Sequence, residues 1–107
     1  MADAVSYLTV DEVLVKREMD PLLLILDVRT EPEWEAHHIP GATLVPMDTL
    51  LHRMHELDAK RETIVVCEHG VRSENVALYL ATEANFERVA TMQGGMSEWN
   101  GPREYGP

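Results

Sequence analysis

The sequence predicts an α/β fold, a five-stranded parallel sheet with helices on both faces. Short apolar or β-branched runs alternate along the chain with segments of helical periodicity, the order that builds parallel sheets. Two capping-box pairs, Thr9 with Glu12 and Thr30 with Glu33, mark helix openings shortly after strand-like runs. The chain has 107 residues, 45% hydrophobic and 26% charged, which suits one globular core and no more.

The elements follow in order. Residues 5–8 form a short apolar strand, and Thr9 caps the helix after it. Residues 22–26, behind Pro21, are a continuous apolar run, as in a strand covered on both faces. The second capping box, with Pro32 in its first turn, opens the next helix. Residues 42–45 read as a third strand. From about Asp48 a helix is expected, with Leu50, Leu51, Met54 and Leu57 on its inner face. Residues 63–66 are β-branched and apolar, hence a fourth strand. Val76, Ala77, Leu80, Ala81 and Ala84 stripe a helix that starts at about Arg72. Residues 88–92 are the last strand, and Gly94-Gly95 breaks the chain before a short helix carrying Trp99. Residues 1–100 read as a single domain. Residues 101–107, with two glycines and two prolines, cannot continue a helix and are expected to be a loose tail.

Nine basic against nineteen acidic residues give a formal charge of −10, which argues against nucleic acid and against an anionic membrane surface as partners. No apolar run approaches the ~20 residues that cross a bilayer. Residues 1–6 hold Asp3 and no basic cluster, so no signal peptide is expected, and the cytoplasm is the expected compartment. One cysteine excludes an internal disulfide and any multi-cysteine metal site. His52 and His55 are spaced i, i+3, and His37 and His38 are adjacent. Neither spacing supplies four converging ligands, so no metal site is expected.

That cysteine, Cys67, stands directly after the fourth strand and opens the segment Cys67-Glu68-His69-Gly70-Val71-Arg72-Ser73. In parallel sheets, chemistry gathers beyond the carboxyl ends of the strands. A helix N-terminus presents unpaired N–H groups, and a tight loop with Gly70 turns further amides inward as an anion nest. Both favour thiolate, the nucleophilic form. Arg72 adds a positive charge beside the ring, and Ser73 either caps the helix or hydrogen-bonds the sulfur. The competing reading is a buried cysteine serving as a small hydrophobe.

Four segments in order resemble the rhodanese family of sulfurtransferases, single-domain type: Leu26-Asp27-Val28-Arg29; Glu33 through His38-Ile39-Pro40-Gly41-Ala42; the loop Cys67-x-x-Gly70-x-Arg72-Ser73; and Gly94-Gly95 followed by Trp99. The resemblance spans residues 8–99. It implies a Cys67 thiolate that takes the sulfane sulfur of a donor such as thiosulfate or a persulfide. Cys67 becomes a persulfide and yields the sulfur to a thiophilic acceptor, cyanide or a thiol, protein thiols included. It implies Cys67 and Arg72 as catalytic residues, and Glu68, His69, Gly70, Val71, Arg72 and Ser73 as the substrate-binding loop. It requires no cofactor. Asp27 and Arg29 are expected to be structural, each paired near the site, and His69 contacts substrate through its ring or its backbone N–H.

The chain departs from the family in two places. His37 stands where a glycine usually precedes His-Ile-Pro-Gly, a matter of local backbone shape. Glu68 and Glu74 place carboxylates near the sulfur, which oppose thiolate and weaken attraction for dianionic thiosulfate. Two other functions stay open. One is a non-enzymatic sulfur carrier or protein-docking module. The other is a cysteine phosphatase or arsenate reductase, although related phosphatases place five residues between cysteine and arginine and this chain places four.

Overall fold

A computed structural model describes residues 4–107; the first three residues of the N-terminal stretch read for a signal peptide lie outside the described residues. The strands are β1 (Val5–Leu8), β2 (Leu24–Asp27), β3 (Thr43–Leu44), β4 (Thr63–Val66) and β5 (Val89–Met92). They form one sheet in the order β1-β5-β4-β2-β3, with every pair parallel. The helices are α1 (Val10–Met19), α2 (Glu31–Ala36), α3 (Leu50–Arg53) and α4 (Val71–Glu83), and a 3₁₀ turn covers Gly95–Glu98.

Alternation along the strands sends side chains to two cores. Leu24, Leu26, Val65 and Val89 pack with Leu50 of α3 and with Val76, Ala77 and Leu80 of α4. Ile25, Ile64, Val66, Ala90 and Met92 face the other way, against Val10 and Val13 of α1 and against Met96 and Trp99. The sheet is thus covered on both faces, and β4 at its centre delivers Cys67 to the carboxyl edge. No helix among the described residues is long and apolar enough to cross a membrane.

Both capping boxes are present, with each threonine hydroxyl accepting from the amide three residues on and each glutamate returning to the cap amide. Three expectations need correction. The second strand begins at Leu24, and Leu22 is 74% exposed, because residues 20–23 turn instead, with the Asp20 carboxylate accepting from the Leu22 amide. The third helix is one α-turn between 3₁₀ turns at Met47–Thr49 and Met54–Glu56. A 3.6-residue stripe does not hold through 3₁₀ geometry, and Leu51 is 69% exposed while Leu50 is buried.

The third correction concerns residues 101–107, which are tied down. His38 and Glu104 exchange two backbone hydrogen bonds of 2.8 Å, an isolated antiparallel bridge. The Gly106 amide donates to the Glu35 carbonyl at 2.7 Å, and Trp99 Nε1 donates to the Pro102 carbonyl at 2.9 Å. Glycine and proline end the helix here, but backbone pairing needs no periodic side-chain pattern and anchors the segment all the same.

Candidate active site

Cys67 is buried, one residue beyond β4, and its Sγ lies inside the turn that leads into α4. The amide of Gly70 donates to Sγ at 3.0 Å and the amide of Ser73 at 3.2 Å. The thiol in turn donates to Ser73 Oγ at 3.4 Å. Ser73 Oγ lies 2.7 Å from Thr91 Oγ1 and donates to the Gly70 carbonyl at 3.2 Å. Ser73 therefore serves the sulfur, while Gly70 takes the cap position of α4 without a side-chain bond. Gly70 sits at φ +98°, and a Cβ there would meet the Gly94 amide at 3.2 Å.

The ring is braced from outside by the turn after β5. The amides of Met96 and Ser97 donate to the carbonyls of Cys67 and Glu68 at 2.8 and 2.9 Å. Gly95 makes the brace possible: at φ +65°, its Cβ would lie 2.5 Å from both carbonyl oxygens.

Two ion-pair assemblies flank the loop. Arg29, 1% exposed, donates from Nε and Nη2 to the fully buried Asp27 carboxylate, with its closest contact at 2.9 Å. Its Nη1 reaches Glu68 Oε1 at 3.1 Å and the Glu33 carbonyl at 3.2 Å, and Nη2 also reaches the His37 carbonyl at 2.7 Å. Arg29 thus stitches β2, the start and end of α2, and the cysteine loop together. Burial pulls its pKa down, but the hydrogen bonds and charges of Asp27 and Glu68 raise it above the ordinary value.

The second assembly adds a partner to Arg72, whose positive charge was expected beside the ring. Both its terminal nitrogens hold the Glu33 carboxylate, at 3.0 and 2.9 Å. Sequence reasoning assigned Glu33 to the α2 cap, and it does that too, but its partner lies 39 residues away. The hydrogen bonds from Arg72 pull the Glu33 carboxyl down from 4.5 to about 2. Since the folded value is the lower one, the stabilisation is in place above about pH 4.5 and is lost as pH falls towards 2. The group is partly exposed, so the effect is modest. Urea midpoints measured from pH 6 to 2.5 should fall less steeply in Glu33→Gln than in the parent, and parallel curves would contradict the assignment.

The other named residues lie around the rim. His69, Gly70, Val71 and Glu74 line a groove of about 300 Å³ with Tyr7 and Gln93, and Glu74 accepts a 2.7 Å bond from the Tyr7 hydroxyl. His37 has extended backbone at φ −174°, which any residue adopts, so this turn does not require the family's usual glycine. Its Nδ1 is buried without a partner among the described residues, and burial followed by the charges of Arg103 and Arg29 lowers its pKa. His38 stacks on Trp34, with ring centres 3.7 Å apart, and hydrogen-bonds the Trp34 carbonyl through Nδ1. Thr91 escaped sequence reasoning; a lone threonine among Val89, Ala90 and Met92 in a fully buried strand was the available signal.

The family model described as Rhodanese-like domain matches residues 9–102. The chain belongs to the rhodanese-like domain family. Among curated rhodanese relatives, the thiosulfate sulfurtransferase GlpE of Shewanella oneidensis is 34% identical over 95 residues, covering 89% of this chain and 92% of that protein. YrkF of Bacillus subtilis, named as a candidate sulfur carrier protein, is 32% identical over 103 residues; the match covers 96% of this chain and 55% of YrkF, so this chain spans about half of that relative's length. The crystal structure of a rhodanese-like domain protein from Staphylococcus aureus superposes with a TM-score of 0.84 at 34% identity, covering 95% of this chain and 99% of that one. The five-stranded parallel sheet flanked by helices is the rhodanese fold.

Proposed function

We propose that the chain is a sulfurtransferase that works through a persulfide on Cys67. The observation carrying this reading is the geometry at Sγ, where two loop amides, from Gly70 and Ser73, converge on a sulfur at the end of the central strand. The family membership and the thiosulfate sulfurtransferase relatives support the general class. In the first half-reaction the Cys67 thiolate attacks the outer sulfur of the donor, the donor's S–S bond breaks, and its electron pair leaves with the remnant; thiosulfate releases sulfite. The product, Cys67-S-S⁻, carries its charge on one terminal sulfur. The amides of the ring are suited to hold that charge as an oxyanion hole holds oxygen. In the second half-reaction cyanide or a thiolate, including a protein thiol, attacks the terminal sulfur and returns Cys67 thiolate. No cofactor takes part. Cys67 must stay reduced, so a reducing compartment such as the cytoplasm belongs to the proposal.

Phosphoryl chemistry fits the site less well. The ring from Cys67 to Arg72 is six residues, and the guanidinium fork that would bind phosphate oxygens is taken bidentately by Glu33. Intact mass spectrometry after exposure to a sulfane donor should show the gain of one sulfur, removable by cyanide. Aryl phosphate hydrolysis on the same preparation should be negligible. No sulfur gain, or phosphate turnover comparable to sulfur transfer, would overturn the reading.

A further inference from the structure

We infer that Glu33 sets donor specificity: by occupying the Arg72 fork it directs the site to sulfane donors carrying at most one negative charge, such as thiosulfonates and alkyl persulfides, and away from dianionic thiosulfate. This inference rests on the sulfurtransferase reading above.

Charge at the loop is the starting observation. Arg72 and Arg29 are the two arginines that meet it. Arg72 is clamped by Glu33, and Arg29 is shared by Asp27 and Glu68. Glu74 lines the adjoining groove, bonded only by the neutral Tyr7 hydroxyl among the described residues. Leaving histidines aside, two cations face four carboxylates, a local charge of −2. The whole chain, at −10, has the same sign. A dianion approaching this field is repelled twice as strongly as a monoanion, because the Coulomb energy scales with the product of the charges.

Among these carboxylates Glu33 has the most leverage. Asp27 is fully buried beneath Arg29, and Glu68 is held at the same guanidinium. Glu33 alone engages the arginine whose own backbone belongs to the first turn of α4, next to Ser73, which holds the sulfur. Its pose is over-determined, since the carboxylate also closes the Thr30 capping box and its carbonyl accepts from Arg29. The rest state of Arg72 is therefore the paired one. Glutamine retains the capping function and removes only the charge.

The half-reactions compared are balanced and share one nucleophile. Thiosulfate, at 2−, leaves sulfite, and methanethiosulfonate, at 1−, leaves methanesulfinate; each places one sulfur on Cys67. They differ by a methyl group in place of a charged oxygen. With Glu33→Gln, kcat/KM should rise about tenfold for thiosulfate and about threefold for methanethiosulfonate, the ratio expected for charges of two and one. The unmodified protein gives a second readout that needs no variant. Raising ionic strength from about 20 to about 500 mM shortens the screening length from ~20 Å to ~4 Å, and kcat/KM for thiosulfate should rise more than that for methanethiosulfonate. In Glu33→Gln this salt response should flatten. Equal changes for the two donors, or a thiosulfate rate that falls with salt in the parent, would overturn the inference while sulfur still appears on Cys67. Absence of sulfur on Cys67 with both donors would overturn the sulfurtransferase reading itself, and this inference with it.

Discussion

Replacing Cys67 with serine should abolish sulfur transfer, by at least ~1,000-fold, while leaving the fold in place. The hydroxyl is smaller than the thiol by little and can still accept from the Gly70 and Ser73 amides, so the buried ring keeps its hydrogen bonds. What disappears is the proposed nucleophile. A serine hydroxyl does not ionise near neutral pH and forms no stable bond to a transferable sulfur. Because Cys67 is the only cysteine, no neighbouring thiol can substitute. The check is a donor-to-cyanide assay beside urea unfolding of both proteins. Activity within tenfold of the parent would mean that sulfur passes from donor to acceptor without the enzyme persulfide. Lost activity with a collapsed unfolding midpoint would mean that the thiol's main role is packing.

The largest effect on stability is expected at Arg29. Arg29→Met removes a guanidinium that is fully out of water and leaves Asp27, also fully buried, with the backbone amide of residue 29, at 3.0 Å, as its one hydrogen-bond donor among the described residues. Breaking a buried pair by removing one partner costs about 3–5 kcal/mol, far more than an exposed pair is worth. The His37 carbonyl and the Glu68 carboxylate lose their donor in the same stroke, and the Glu33 carbonyl keeps only the His37 amide at 3.4 Å. Asp27→Leu combined with Arg29→Met should recover part of the loss, since the second change removes the stranded charge. Chemical unfolding of the parent, the single and the double variant measures both. A single-variant loss below ~1 kcal/mol, or no recovery in the double, would show that the network does not hold the loop as described.

Much of this architecture was legible because it is local. The capping boxes join residues three apart, and each formed. The strands at Val5–Leu8 and Thr63–Val66 stand where the apolar runs stand; the fully covered run of β4 reports its burial directly, while β1 is buried at Val5 alone. Leu51 was misread because a 3.6-residue period was applied to a segment that is mostly 3₁₀. The tail was misread for a different reason: composition shows what a segment cannot continue, not what its backbone can pair with.

The candidate site divides along the same line. Cys67, Gly70, Arg72 and Ser73 were identifiable as a unit because a strand end, a turn and a helix start are adjacent in sequence, and their chemistry follows from that adjacency. The sequence by itself thus determined the fold class and placed the proposed nucleophile and its loop at the carboxyl end of a strand. The charges that surround the loop were decided elsewhere. Arg72 with Glu33, and Arg29 with Glu68, are pairs 39 residues apart, and the Gly95 brace belongs to the turn after another strand. Only the strand order β1-β5-β4-β2-β3, which sets β2 and β5 on either side of β4, brings α2 and the Gly94-Gly95 turn to the carboxyl end of the cysteine strand. An arginine in a motif carries a charge, but whether that charge is available to a substrate depends on which carboxylate the folded chain places within 3 Å of it. That is a property of tertiary topology, because Coulomb attraction acts between neighbours in space and takes no account of their distance along the chain.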